Sequence, residues 1–485
     1  MMKKFYIALV GILFVCIGAV GQTTFTYQGI KYGINSKGEA YVADNPNVSG
    51  NITIPGTVYN GDKSYSVMEI GNEAFECNQN LKSISIGGYV RKIGGGAFFE
   101  CKALTKVTMS DYMQEIGPEA FAYCSALTDI KLPGSINTIG AYAFSDCVSL
   151  ESIKIPLYLN DIKEFTFDGC RSLKTVNTEE AAFLKSIGEN AFNGCSSLYD
   201  LTLPETVTRI GDQALGNCSS LDRFDIPESV ASIGKSAFLN CTALSSIVIP
   251  SKISVVDENT FSGCTSLTSA TLPETMYAIG SKAFYGCSKL SSIDMPKSMD
   301  YLQPMAFMNC SSLSSVTIPS GIEEISNNAF SGCISLTTVT LPESVTTIGQ
   351  AAFSDCKLTA IEFPESLTNI GSNAFSSCDW LETVTCTSYI PPVMESFNAF
   401  SNAAYDNATL IVPDEAYYDY LQSYGWDMFE NTKSAAIEDV FAETTAVADI
   451  FNLQGIIIKR NASKEDLHSL PTGIYIVNGK KIVVK

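Results

Sequence analysis

Cysteine is the residue type whose spacing in this chain most invites a chemical reading. Thirteen of its 16 cysteines share one register: Cys101, Cys124, Cys147, Cys170, Cys195, Cys218, Cys241, Cys264, Cys287, Cys310, Cys333, Cys356 and Cys378. Thiolates ligate soft metals and attack electrophiles, and many cysteines in an exported chain suggest disulfides. A metal needs several sulfurs converging on one point, whereas one sulfur per repeat makes a line. Stacked repeats would bring neighbouring Cα atoms to ~5 Å, within reach of a bridge, but parallel Cβ vectors would have to turn towards each other. The spacing therefore predicts buried, reduced thiols serving as small apolar fillers. Cys77 lies one place early, and Cys386 falls at a strand core position.

Other chemistry is sparse. The one histidine is His468, which removes Ser-His-Asp and Cys-His catalysis, and histidine-based metal sites, from the rest of the chain. No glycine loop has the spacing that cradles phosphate. Glu205, Glu228, Glu274, Glu343 and Glu365 each follow a proline at a repeated turn, where an exposed acid reads as solvation before calcium binding. Tyr417, Tyr418, Tyr420, Tyr424 and Trp426 form either an aromatic ligand site or the closure of an apolar end, and the second reading is preferred. The chain is expected to be non-enzymatic, with no cofactor and no metal.

The elements that position these residues are copies of one unit. A lead aliphatic residue recurs at Ile70, Ile93, Ile116, Ile139 and Ile162. After a two-residue insertion it continues at Ile187, Ile210, Ile233, Val256, Ile279, Leu302, Ile325, Ile348 and Ile370. A fixed period of 23 residues is the mark of a solenoid. Within a unit, Phe121, Cys124 and Leu127 fall at i, i+3 and i+6, which predicts one or two helical turns opened by Pro118. Ile130 and Leu132 alternate with polar neighbours as a short strand, Pro133 ends it, and Ile136 carries the chain back to Ile139. One such coil cannot bury its own faces, so the copies must stack.

The pattern I-G-x-x-A-F-x-x-C-x-x-L-x-x-I-x-I-P-x-x-V resembles the BspA-like leucine-rich repeats of bacterial surface proteins over roughly residues 50–390. The resemblance implies an α/β leucine-rich-repeat solenoid on a cell surface, and an association with matrix and plasma glycoproteins. Departures are local: Thr166 and Thr260 replace the alanine, Leu215 replaces the phenylalanine, and residues 176–186 lose the proline.

The ends differ. Residues 1–21 read as a secretory signal, with Lys3 and Lys4 before an apolar run and Ala19-Val20-Gly21 as the cleavage site. A lipoprotein signal at Cys16 fits less well, because Val15 precedes it and the apolar run continues. Residues 22–50 predict a β-hairpin that caps the stack, residues 51–387 the repeats with an inserted loop at Tyr59–Ser66, and residues 388–435 a worn last repeat with an aromatic cap. Residues 436–485 alternate as a small antiparallel β-sandwich. There Asn452-Leu453-Gln454-Gly455 and Leu470-Pro471-Thr472-Gly473-Ile474-Tyr475-Ile476-Val477-Asn478-Gly479 resemble the C-terminal sorting domain of type IX secretion cargo in Bacteroidetes. That resemblance implies export through the secretion machinery, then release or surface attachment. Signal cleavage would leave no transmembrane segment and would take the formal charge from −20 to −22, which repels phosphate backbones and argues against nucleic-acid binding.

One large surface remains for a partner, the solvent-facing positions of the repeat strands. Early positions are charged, among them Lys106, Asp129, Lys131, Asp200, Arg223 and Asp225, with Tyr199 as nearly the one aromatic. Later ones are hydroxylic: Ser245, Ser246, Thr268, Ser269, Thr271, Ser291, Ser292, Ser314, Ser315, Thr337 and Thr338. Such a face suits an extracellular protein or glycoprotein of a host matrix or neighbouring cell better than a glycan, which usually stacks on aromatic rings. The alternatives are a glycan-binding accessory protein, or simply a solvated face.

Overall fold

A computed structural model describes residues 24–435 and, towards the C-terminus, 448–452, 456–463, 466–467, 469–471, 473–477 and 480–484. The segment expected as a secretory signal, residues 1–21, and His468 lie outside the described residues. The described residues form a parallel β-solenoid of about 17 turns, followed by a small antiparallel sheet. They divide into two compact units, Met1–Asn160 and Asp161–Lys485.

In the first unit one coil shows the plan. Glu115–Ile116 pairs in parallel and in register with Lys92–Ile93 on one side and Thr138–Ile139 on the other, forming the first sheet. Asp129–Ile130 pairs likewise with Lys106–Thr108 and Ser152–Lys154 in the second sheet. Ile116, Ala120, Phe121, Cys124, Leu127, Ile130 and Ile136 all point inward and are buried. The glycine after the lead isoleucine is set by close approach between coils. A Cβ on Gly140 would lie 2.3 Å from the Pro118 nitrogen.

Between the two sheets the expected helical segment is a run of tight turns. Ala122, Cys124 and Leu127 donate three residues back, to the Glu119, Phe121 and Cys124 oxygens. The amides between them, on Glu119, Phe121 and Tyr123, donate instead to Ala141, Ala143 and Ser145 of the next coil. A helix would keep those donors within the coil; here alternate amides make a third inter-coil ladder. The backbone achieves this by entering the left-handed region twice per coil, at Glu119 (φ 56°) and Tyr123 (φ 61°). The second of these positions holds Gly169, Gly194, Asn217, Asn240, Gly263, Gly286, Asn309 and Gly332 in later coils. Gly and Asn tolerate positive φ best, so the signal against a helix was present in the sequence.

Phenylalanines stack up the centre. In the first unit Phe75, Phe98, Phe121 and Phe144 lie 5.2, 5.0 and 5.4 Å apart, with planes within 9° of parallel. In the second unit the stack runs from Phe238 through Phe261, Phe284, Phe307, Phe330, Phe353 and Phe375 to Phe400.

The ends refine the expectations. The N-terminal cap is a three-stranded antiparallel meander, Thr24–Tyr27, Ile30–Ile34 and Ala40–Val42, whose last strand pairs in parallel with Lys63–Ile70. The segment expected as a loop at Tyr59–Ser66 is a hairpin instead, with Thr57–Asn60 antiparallel to Lys63–Ile70. Alternating Val58, Tyr65 and Val67 can fold back on themselves, so no loop is required. In the second unit Thr383–Cys386, Thr409–Val412 and Asn431–Ser434 continue the second sheet. The described C-terminal residues form one four-stranded antiparallel sheet, with Ile450, Ala462, Leu467, Tyr475, Val477 and Val484 as its core.

Candidate functional site

The second sheet of the second unit presents the hydroxylic face. Each coil turns two side chains outward before a buried core residue and one after it. Around Ile247 these are Ser245, Ser246 and Val248, and around Ala270 they are Thr268, Ser269 and Thr271. Around Ile293, Val316 and Val339 lie Ser291 and Ser292, Ser314 and Ser315, then Thr337 and Thr338. All are exposed except Thr337, which is half-buried; Tyr199, Asp200, Arg223 and Asp225 are exposed at the matching earlier positions. Ser246 faces Ser269, and Ser315 faces Thr338, in register.

The two leading rows behave differently. Ser245, Thr268, Ser314 and Thr337 donate their hydroxyls to the main-chain oxygen one coil back, at 3.0, 2.9, 3.4 and 3.2 Å. Those hydroxyls are part of the ladder. Ser246, Ser269, Ser292, Ser315 and Thr338 have no such bond among the described residues, so their polar groups face solvent. Four of the eleven hydroxylic positions expected on this face are therefore structural, a division that sequence alone did not reveal. Where the two-residue insertion interrupts the period, Asn177, Glu179, Asp200 and Thr202 rim a cleft of ≈ 390 Å³ with Val176, Leu203 and Pro204.

The C-terminal aromatics separate by burial. Trp426 and Tyr420 are fully buried; the Trp426 indole donates to the Pro392 oxygen at 2.8 Å and the Tyr420 hydroxyl to the Ser388 oxygen at 3.1 Å. Trp426 also packs against Phe363 and Phe400, so this cluster closes the core. Tyr418 and Tyr424 stay exposed.

Sequence reasoning overlooked aromatics on other faces. Tyr277 and Tyr301 stand exposed on adjacent coils of the first sheet. In the first unit Tyr89, Tyr112 and Tyr158 are exposed at one repeat position, just before the residue that returns the chain to the core. Reading outward positions on all sides of the coil, rather than on the second sheet alone, would have found them.

The cysteine row is buried, and the cysteines are unbridged among the described residues. Burial pushes the thiols up, to about 12 for Cys101, Cys264, Cys333 and Cys378, so they are neither nucleophiles nor ready metal ligands at neutral pH. Among the described residues no group of three or more His, Cys, Asp or Glu side chains is placed to hold a metal, and no helix is long and apolar enough to cross a membrane. Glu205, Glu228, Glu274, Glu343 and Glu365 are exposed, and Glu228 accepts from the Ser251 hydroxyl in the next coil.

Two sheets of short in-register strands around a ladder of Phe, Leu and Cys define a leucine-rich-repeat solenoid. The chain belongs to the BspA-type leucine-rich repeat family: its profile, described as "BspA type Leucine rich repeat region (6 copies)", matches residues 68–195, 185–314 and 302–416. A leucine-rich repeat protein from Bacteroides ovatus is similar at 27% identity and a TM-score of 0.62, covering 84% of this chain and 98% of its own. A leucine rich cell surface protein from Faecalibacterium prausnitzii is similar at 27% identity and a TM-score of 0.47, covering 76% and 96%. No curated protein matches the chain.

Proposed function

We propose that this is an exported, non-enzymatic surface protein that holds an extracellular protein or glycoprotein on the outward face of its second sheet. The carrying observation is the row Ser246, Ser269, Ser292, Ser315 and Thr338, free of internal bonds and repeated at each coil. A flat array of small donor-acceptor groups at the inter-strand spacing of ~4.8 Å suits a polar, wet protein interface. Membership of a family of bacterial surface repeats supports the location, as does the leader-like residues 1–21. Residues 436–485 would serve as the type IX sorting signal, with release or attachment following export. The glycan-accessory alternative loses its C-terminal site, since Tyr420 and Trp426 are enclosed.

The test is capture from a mixture of serum and matrix glycoproteins by the chain from residue 22 onward, against a variant with Ser269, Ser292, Ser315 and Thr338 changed to lysine. A protein retained by the first and lost by the second supports the reading. Equal retention by both moves the site elsewhere, and no retention counts against adhesion.

A further inference from the structure

The first sheet of the second unit carries an aromatic corner that the stack does not need. Tyr277 and Tyr301 are 43% and 49% exposed, with ring centroids 5.2 Å apart and planes at 64°. The main-chain oxygen of Tyr277 accepts from the Asp300 and Tyr301 amides, and the Tyr277 amide donates to the Ser254 oxygen at 2.7 Å. The pair is thus fixed from below by the ladder. The two rings meet edge to face, each supporting the other's orientation by direct contact. Val255, 39% exposed, lies in register with Ala278 and then Tyr301, extending the apolar ground over three coils. At the same repeat position as Tyr301 other coils place Arg209, Ser232, Glu324 and Thr347, so the fold asks for no aromatic there.

We infer that Tyr277, Tyr301 and Asp300 form a binding site for a neutral pyranose sugar of a glycan. A pyranose has a C–H face that stacks on a phenol ring and equatorial hydroxyls around its rim. Rings set at an angle let one sugar stack on the first while its edge meets the second. Asp300 is exposed, directly precedes Tyr301 and donates its amide to the Tyr277 oxygen, so the chain supplies a carboxylate next to the ring pair as an acceptor for sugar hydroxyls. Neutrality follows from the formal charge of −20 and from Glu323 and Glu324 on the following coil, which repel sulfated or uronic-acid chains. An organic cation would also be drawn to carboxylates, but its recognition uses several ring faces around the charge. Two rings open to solvent do not enclose one. This site is independent of the hydroxylic face, so either can fail alone.

The test is calorimetry on the full chain with cello-, manno-, xylo- and malto-hexaose, and with tetramethylammonium as the cation probe. At least one hexasaccharide should bind with a Kd of about millimolar or tighter. The Tyr277→Ala, Tyr301→Ala double variant should weaken it ~10-fold or more, because both stacking surfaces are removed. Asp300→Asn should weaken it less, and Tyr112→Ala should leave it unchanged. Because the rings are exposed, the double variant's unfolding midpoint should match the parent's, separating lost binding from lost fold. Binding of no hexasaccharide, binding indifferent to the double variant, or binding of tetramethylammonium alone would each overturn the assignment.

Discussion

Cys124 donates its Sγ hydrogen to the main-chain oxygen of Phe98, one coil back, at 3.1 Å. The same bond joins Cys101 to Phe75, Cys218 to Phe192, Cys287 to Phe261 and Cys333 to Phe307, all within 3.2 Å. The cysteine is therefore both a filler and a weak donor to the coil before it. That explains why the position takes cysteine rather than alanine or valine, which fill space without donating.

This arrangement fixes the alkaline limit of the fold. In the unfolded chain these thiols ionise near about 8.5. In the folded protein burial holds Cys101, Cys264, Cys333 and Cys378 neutral up to about 12. The unfolded state thus loses protons first, so the contribution is complete below about pH 8.5 and is lost as pH rises towards 12. Each such thiol costs about 1.4 kcal/mol per pH unit inside that window. Urea midpoints measured from pH 7 to 10.5 should be flat to about 8.5 and then fall, with a shallower fall in Cys264→Ala. A level profile throughout would contradict the argument.

Left-handed backbone makes a second prediction. Ala351 sits at φ 52°, where an L-residue costs about 1–2 kcal/mol. Ala351→Gly should therefore raise stability by about 0.5–1 kcal/mol after the extra entropy of unfolded glycine is charged against it. Gly332→Ala should do the reverse by a similar amount, because at φ 75° an added Cβ meets the left-handed penalty, while its approach to Asn309 Oδ1 is relieved by turning that amide. Both are read as urea midpoints on the same chain, and shifts of the same sign would refute the assignment of strain.

The period, the inward residues and the two sheets were legible because stacking repeats one hydrophobic code in every coil. The turn segment was not, since Phe121, Cys124 and Leu127 fall at a spacing that tight turns and a helix share. The decisive residues were its neighbours, the Gly and Asn series from Gly169 to Gly332, which periodicity of apolar residues ignores. The partner face was legible only as a list of exposed positions. That Thr268 is tied to the Ser245 oxygen while Ser269 is free depends on where each hydroxyl points. Tyr277 and Tyr301 were missed because only one of the coil's sides was read for outward residues.

The third prediction concerns a compensation within one coil. Leu215 occupies the ladder position that phenylalanine holds at 192 and 238, and it is fully buried. In the same coil the strand core position, aliphatic at Ile130, Ile153, Val176, Leu201 and Ile247, is Phe224. Its ring lies 5.2 Å from Phe238 at 59°, beside the ring on which a phenyl at 215 would stack. One aromatic has moved from the turn side to the strand side, and the leucine leaves it room. Leu215→Phe alone should overpack the coil and cost about 1–3 kcal/mol, while Phe224→Ile alone should open a cavity and cost a similar amount. Together they restore the common pattern, so the double variant should recover most of both losses, with a coupling of about 1 kcal/mol or more in a double-mutant cycle. Strict additivity would mean that the two positions do not share space, and that the leucine is an unrelated departure from the repeat.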